Sequence, residues 1–191
     1  MRLPARHAVG VDVRVRVRVA AVPTLKAARV HGFPAYVGIG SNLRDPAAQV
    51  RAAFEALAAM PGTRWVLRSS LYGSRPMGTV EQPDYCNAVA GLLTELDVDE
   101  LFAQLRAIEL RMGREPPRER WGPRVIDLDL LVYAQLQRSD ATLTLPHPGI
   151  AERHFVVQPL NELAPDLVVP GAGPVRALAA KVSTEGLWKI A

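Results

Sequence analysis

Along this 191-residue chain the spacing of apolar positions changes period several times, and each change predicts an element. Ala35 to Gly40 is a short apolar run that reads as a strand, ending in the turn-forming composition of Gly38, Gly40, Ser41 and Asn42. Asp45 followed by Pro46 is a helix start, because a carboxylate accepts from the first free amides and proline fits the first helical position. Val50, Phe54, Leu57 and Ala58 then recur at helical spacing until Pro61-Gly62. Thr63 to Tyr72 and Cys86 to Leu93 read as two further strands with a long polar loop between them. Asp97 or Asp99 caps a second helix whose inner face carries Leu101, Leu105, Ile108 and Met112, and Gly113 closes it. Val125 to Tyr133 is the fourth strong strand, and two short helices follow, near Gly149 to Leu163 and Pro174 to Lys181.

The order β-α-β-β-α-β predicts an α+β, ferredoxin-like antiparallel sheet with two helices on one face and short C-terminal helices appended. Residues 34–191 read as one domain. Residues 1–33 read as a poorly ordered N-terminal extension, although Val11 to Val19 alternate valine with Asp12, Arg14, Arg16 and Arg18 as a half-wet strand does. An Arg-rich, acid-poor leader is also what a transit peptide looks like.

Two loops, Gly73 to Tyr85 and Arg114 to Arg124, are longer than compact packing requires, and such loops commonly carry function. The second runs into Val125-Ile126-Asp127-Leu128-Asp129. Alternate strand residues share a face, so Asp127 and Asp129 point the same way, roughly 6.5–7 Å apart along the chain. Paired carboxylates of this kind suit Mg²⁺, which binds a few carboxylates together with substrate phosphates. On the two acids alone, a solvent-facing edge strand explains the pattern equally well. Arg114, Arg118, Arg120 and Arg124 just upstream tip the balance, since guanidinium groups match phosphate oxygens.

Composition changes the picture only a little. A net charge of +4, mostly from arginine, suits an anionic partner, either nucleic acid or a nucleotide's phosphates. The single Cys86 excludes a disulfide framework and is consistent with a reducing, cytoplasmic setting; its apolar flanks give it a packing role. Apolar runs are too short to span a bilayer. There is no G-x-x-x-x-G-K-[ST], so a nucleotide would bind through another geometry. An RNA-binding module of the same β-α-β-β-α-β order is a rival reading, but the aromatic strings of such sheets are missing and the fourth strand presents two acids. Another metal-dependent nucleotide transferase on the same fold is a second.

Arg120-Trp121-Gly122-Pro123-Arg124 followed by Asp127-Leu128-Asp129 resembles the signature of the 6-hydroxymethyl-7,8-dihydropterin pyrophosphokinase family. Gly40-Ser41-Asn42, Gln82-Pro83-Asp84-Tyr85 with Asn87, Glu109, and Pro146-His147-Pro148 near Arg153 and Phe155 agree in order, over about residues 35–170. The resemblance implies diphosphate transfer from ATP to the pterin hydroxymethyl group, with release of AMP, in folate biosynthesis. It implies two Mg²⁺ held by Asp127 and Asp129, with Arg114 and Arg124 completing the catalytic group. Tyr85 and Phe155 would stack on the pterin and Asn87 would bond its edge, with Ser74, Arg75, Met77 and Trp121 lining the same pocket. Glu109, Arg114, Arg120, Trp121, Arg124, Leu130, Thr144, His147 and Arg153 match positions that contact ATP. Taken singly, Tyr85 and Phe155 read as core aromatics, His147 as a turn residue and Glu109 as a surface carboxylate. The chain departs from the family at Pro116 and Pro117, where a basic pair is common. The expected partners are the two small substrates alone, with no nucleic acid or membrane, and the expected state is a monomer.

Overall fold

In the computed structural model, which describes residues 32–78, 81–115 and 122–190, the central feature is a six-stranded antiparallel sheet. Its strands are β1 (Phe33–Ser41), β2 (Thr63–Arg68), β3 (Tyr72–Ser74), β4 (Tyr85–Thr94) and β5 (Asp127–Tyr133), with a C-terminal strand added as described below. Helices α1 (Pro46–Ala58) and α2 (Val98–Arg111) follow β1 and β4. Both are started by the residues the sequence predicts. Asp45 accepts from the Ala48 amide at 3.0 Å, and Asp97 forms a reciprocal capping box with Glu100. Such caps are each worth about 1 kcal/mol. Gly113 ends α2 at φ 87°, a conformation that costs glycine nothing.

The expected strand order holds, with β5, β1 and β4 side by side and β2 and β3 sharing β4. The predicted strand Thr63 to Tyr72 is, however, two strands. At the break the Ser69 amide donates to the Val89 carbonyl at 3.0 Å, and the Ser69 hydroxyl accepts from the Val89 amide at 2.9 Å. A side chain thus replaces one backbone rung, and the chain turns out of register. β2 keeps residues 90–94 of β4, and β3 takes residues 85–87.

Alternation along the strands sorts the core into two layers. Ala35, Val37 and Ile39, with Ala88, Ala90, Leu92, Leu128 and Leu130, pack against α1 and α2. The hairpin β6 (Arg138–Ser139) and β7 (Thr144–Leu145) joins this layer through Leu143 and Leu145, whereas the opposite face is covered by the short turn Pro148–Ala151 and α3 (His154–Leu163). The ribbon β8 (Val168–Val169) and β9 (Gly173–Pro174) leads into α4 (Val175–Ala179) and then β10 (Leu187–Lys189). Val156, Val157 and Leu160 of α3 and Val175 and Leu178 of α4 pack with Val89, Leu131 and Val132 of the sheet. The single helix expected over Gly149 to Leu163 is therefore broken. Arg153, at φ −97° and ψ 110°, is extended and stands as the cap of α3. Residues 1–31, including the alternating Val11 to Val19, lie outside the described residues. Among the described residues no helix is long and apolar enough to cross a membrane.

Glu162 near the end of α3 fastens this layer to the sheet. Its carboxylate accepts from the Tyr72 hydroxyl at 2.5 Å, the Ser70 hydroxyl at 2.8 Å and the Ser70 amide at 3.0 Å, and Lys189 stands 3.1 Å away. Partial burial pushes the carboxyl up, but these donors outweigh it and bring it down to about 2, from 4.5. A depressed carboxyl stabilises the fold above its unfolded value and loses that contribution as pH falls toward its folded value. Glu162→Gln is expected to cost about 1–2 kcal/mol at neutral pH after allowance for solvent screening. Urea melts of both proteins from pH 7 downward check this: the gap closes between pH 4.5 and about 2. A gap that is absent at pH 7, or that persists at the acid end, contradicts the assignment.

Candidate active site

Gly38 and Gly40 lie within β1 and form no turn. Both point to the face away from α1 and α2, Gly40 opposite Asn87 on one side and Asp127 on the other, Gly38 opposite Asp129. Two strand positions without side chains leave a trough between β4 and β5. A Cβ on Gly40 would stand 3.4 Å from Asn87 Oδ1, and one on Gly38 would stand 3.3 Å from Leu131. The trough is the floor of a cavity of about 240 Å³.

One end of the cavity is made by Ser74, Arg75, Met77, Tyr85, Asn87 and Phe155. Asn87 is buried and donates to Ser74 Oγ at 2.9 Å, which fixes its amide and turns Oδ1 toward the floor. The Tyr85 hydroxyl reaches Gln82 Oε1 at 3.2 Å and the Gly122 carbonyl at 3.4 Å, so it bridges the two long loops. Burial raises the Tyr85 phenol above its ordinary value and keeps it a neutral donor.

The other end holds Arg124, Asp127, Asp129 and Arg153. β5 begins at Asp127, two residues later than the sequence predicts, because the chain at Arg124 is tied to the loop after β1. Asn42 does the tying. It accepts from the Arg124 amide at 2.8 Å, its own amide donates to the Arg124 carbonyl at 3.1 Å, and its side-chain NH₂ donates to Gln82 Oε1 and the Pro83 carbonyl. Asp127 is gripped from both sides, by Arg114 Nη1 at 2.7 Å and Arg124 Nη1 at 2.6 Å.

Behind Asp127 stands Glu109, 2% exposed and so not the surface carboxylate that its position on a helix suggests. It accepts from the Leu128 amide at 2.6 Å, from Arg106 at 2.7 Å and from Arg114. Burial pushes its carboxyl above the usual range, and these three donors oppose the push. The Asp129 carboxyl is also raised, first by burial and then by the negative charge of Asp127. His147 Nε2 lies 3.7 Å from Asp129 Oδ2. Its Nδ1 accepts from the Gly149 amide at 3.1 Å, which leaves the ring proton on Nε2, facing the carboxylate. Burial lowers the imidazole despite Asp129, so His147 is neutral at pH 7.

The structure thus brings together ten of the expected residues around one cavity, with Arg114 and His147 against its two aspartates. Thr144 sits half-buried on β7, two residues before Pro146. Leu130 is different: its side chain packs into the α1–α2 core, leaving only its backbone on the strand to meet a ligand. Arg120, Trp121, Arg118, Pro116 and Pro117 lie outside the described residues. Sequence reasoning missed Gln82, Leu131 and Val156 as lining, Asn42 as the loop tie, Arg106 as a partner of Glu109, and the glycine floor. The floor had a signal, since Gly38 and Gly40 are two apart, the same period as the two aspartates.

The sequence model for 7,8-dihydro-6-hydroxymethylpterin-pyrophosphokinase matches residues 36–165, a span that includes the floor, both aspartates and both aromatic positions. The chain belongs to this family. The 2-amino-4-hydroxy-6-hydroxymethyldihydropteridine pyrophosphokinase of Methylorubrum extorquens is 46% identical over 156 residues, covering 82% of this chain and 98% of that protein. The enzyme of the same name from Haemophilus influenzae is 40% identical, over 82% and 97%. A crystal structure of Plasmodium falciparum HPPK-DHPS superposes with a TM-score of 0.64 at 14% identity, which speaks to the fold. It matches 81% of this chain, which spans only 45% of that longer one. In this chain the glycine floor and the acidic pair lie on adjoining strands of the antiparallel sheet.

Proposed function

We propose that this chain transfers the diphosphate of ATP to the hydroxymethyl group of 6-hydroxymethyl-7,8-dihydropterin and releases AMP, in folate synthesis. The observation that carries the reading is a single cavity with two chemically distinct ends, Tyr85, Asn87 and Phe155 at one and Asp127, Asp129 and arginines at the other. A flat heterocycle gains from aromatic faces, and a fixed amide offers both a donor and an acceptor to its edge. The charged end is the place for a polyphosphate.

Asp127 and Asp129 fit magnesium. They are neighbouring carboxylates on one face of β5, both lining the cavity, an oxygen-donor pair of the kind magnesium takes. Among the described residues no third His, Cys, Asp or Glu joins them, which suits an ion that takes its other ligands from water and phosphate. When bound there, magnesium neutralises the triphosphate and polarises the phosphoryl oxygens. The protein's own part is placement. The aromatic slot and Asn87 set the hydroxymethyl group toward Asp127 and Asp129, so its oxygen forms the new bond to the β-phosphorus while the bond from that phosphorus to the α-phosphate bridging oxygen breaks. Arg114 and Arg124, now engaged by Asp127, offer donors to the oxygens on which charge develops. No side chain stands out as a strong base: AMP departs with the bridging oxygen, and the hydroxyl proton passes to solvent as the new bond forms.

The test is an assay with ATP, Mg²⁺ and hydroxymethyl-dihydropterin that follows AMP and the pterin diphosphate. Tyr85→Ala and Phe155→Ala are each expected to raise the KM for the pterin by about 10–100-fold, the scale of a lost stacking face with its buried area. The KM for ATP should stay within about twofold in Phe155→Ala, and should rise less than that for the pterin in Tyr85→Ala, whose hydroxyl also meets the Gly122 carbonyl beside Arg124. Parallel rises in both constants, or no AMP from the unaltered chain, reject this reading.

A further inference from the structure

Among the described residues the C-terminal strand joins the site through β3, whose Ser74 lines the cavity. β3 is only three residues long, too short to hold a position by itself. Its inner edge pairs with β4, Ser74 opposite Tyr85 and Tyr72 opposite Asn87. Its outer edge is covered by β10, Leu187 opposite Ser74, Trp188 opposite Gly73 and Lys189 opposite Tyr72. The ladder continues past both ends of the pairing. The Arg75 amide donates to the Gly186 carbonyl at 3.2 Å, and the Ile190 amide donates to the Leu71 carbonyl at 2.8 Å.

Gly73 shows how close the fit is. Its backbone is not in the left-handed region, so nothing in its φ demands glycine. The Trp188 indole does. A Cβ built on Gly73 would overlap Cε2, Nε1 and Cζ2 of that ring, which lies directly on the glycine while remaining 43% exposed on its other side. The same segment reaches the opposite wall of the slot. Lys189 pairs with Glu162 of α3, and the Glu185 backbone bonds the His154 imidazole, next to Phe155. Residues 185–190 therefore clasp the Ser74–Met77 wall to the helix that carries Phe155. They make no bond to Asp127, Asp129, Arg114, Arg124 or His147.

We propose that β10 is a positioning element for the acceptor: its docking on β3, sealed by the indole of Trp188 on Gly73, sets the separation of the two walls and hence pterin affinity, with little effect on ATP. The proposal rests on the pterin reading of the cavity given above. Because β3 ends at Ser74 and the wall continues at once through Arg75 and Met77, release of β10 leaves that wall anchored by β4 on one side only. Misplacement of binding groups by about 1 Å is enough to cost up to about a hundredfold in a positioned reaction.

The test uses the full chain with Gly73→Ala, which drives a methyl into the indole, and with Gly73→Ala combined with Trp188→Gly, which makes room for it. Pterin is titrated into protein saturated with Mg²⁺ and a non-cleavable ATP analogue, the analogue is titrated separately, and amide exchange is read at Arg75. Gly73→Ala is expected to weaken pterin binding about tenfold or more, leave the analogue within about twofold and speed exchange at Arg75; the pair should recover most of the pterin affinity. Should Gly73→Ala fail to fold, Trp188→Ala decides the matter, with an expected pterin loss of about threefold or more and the analogue unchanged. Faster Arg75 exchange without loss of pterin affinity, or equal losses for both ligands, overturns the proposal. Failure of the unaltered chain to bind pterin at all overturns the functional reading instead.

Discussion

Asp129→Asn and Asp127→Asn are each expected to reduce turnover by about a thousandfold or more, the scale seen when charge-stabilising groups are removed from a phosphoryl-transfer site. The two variants should part company in stability. Asp129 is raised by burial and by Asp127, so its folded value lies above 3.8. A carboxyl of that kind holds its proton more tightly when folded, and it costs stability once pH has risen past its folded value. At neutral pH the asparagine removes that cost, and the variant should melt at the same temperature as the parent or higher. Asp127 differs in its partners, being the shared acceptor of Arg114 and Arg124. Asp127→Asn should lose about 1–2 kcal/mol along with activity. Steady-state kinetics beside thermal melts check both. Near-normal turnover in either variant removes the metal assignment, and a large stability loss in Asp129→Asn removes the electrostatic account of that residue.

The elements that the sequence made legible are those whose cause is local. Asp45 and Pro46 start α1, Asp97 and Glu100 start α2, and Gly113 ends it, because each acts within four residues of the position it sets. The acidic pair was legible for a related reason, since a period of two places Asp127 and Asp129 on one face in any strand. What escaped depends on partners far along the chain. Ser69 breaks the second predicted strand through Val89, twenty residues away, and nothing in its neighbours announces a side chain that replaces a backbone rung. β10 is three residues long, which leaves no period to read, and its place is set by β3, more than a hundred residues earlier. Asn42 bonds across 40, 41 and 82 residues, so its composition reads as a turn while its work is to hold both long loops to one strand end. Gly38 and Gly40 carried a readable spacing, but glycine is associated first with turns, and only the flanking strands reveal them as a floor.

Glu109 gives the second large effect, one that separates support from direct contact. Its carboxylate is the acceptor for the Leu128 amide in the strand between the two aspartates, and it also receives Arg106 and Arg114. Glu109→Ala leaves that amide buried without a partner, takes the counter-charge from Arg106 and leaves Arg114 with Asp127 alone, so it should cost about 3–5 kcal/mol. Arg114 then loses the anchor that aims it at Asp127, and turnover should fall about 10–100-fold even in the folded fraction. Glu109→Gln keeps an acceptor for the amide but not the charge, so its loss should be nearer 1–2 kcal/mol. Urea denaturation and kinetics on both variants supply the check. If Glu109 instead served mainly as a nucleotide ligand, glutamine would change ATP affinity and leave the unfolding midpoint where it was. The buried position behind Asp127 makes the opposite ranking the expected one, with stability responding first and ATP affinity only through Arg114.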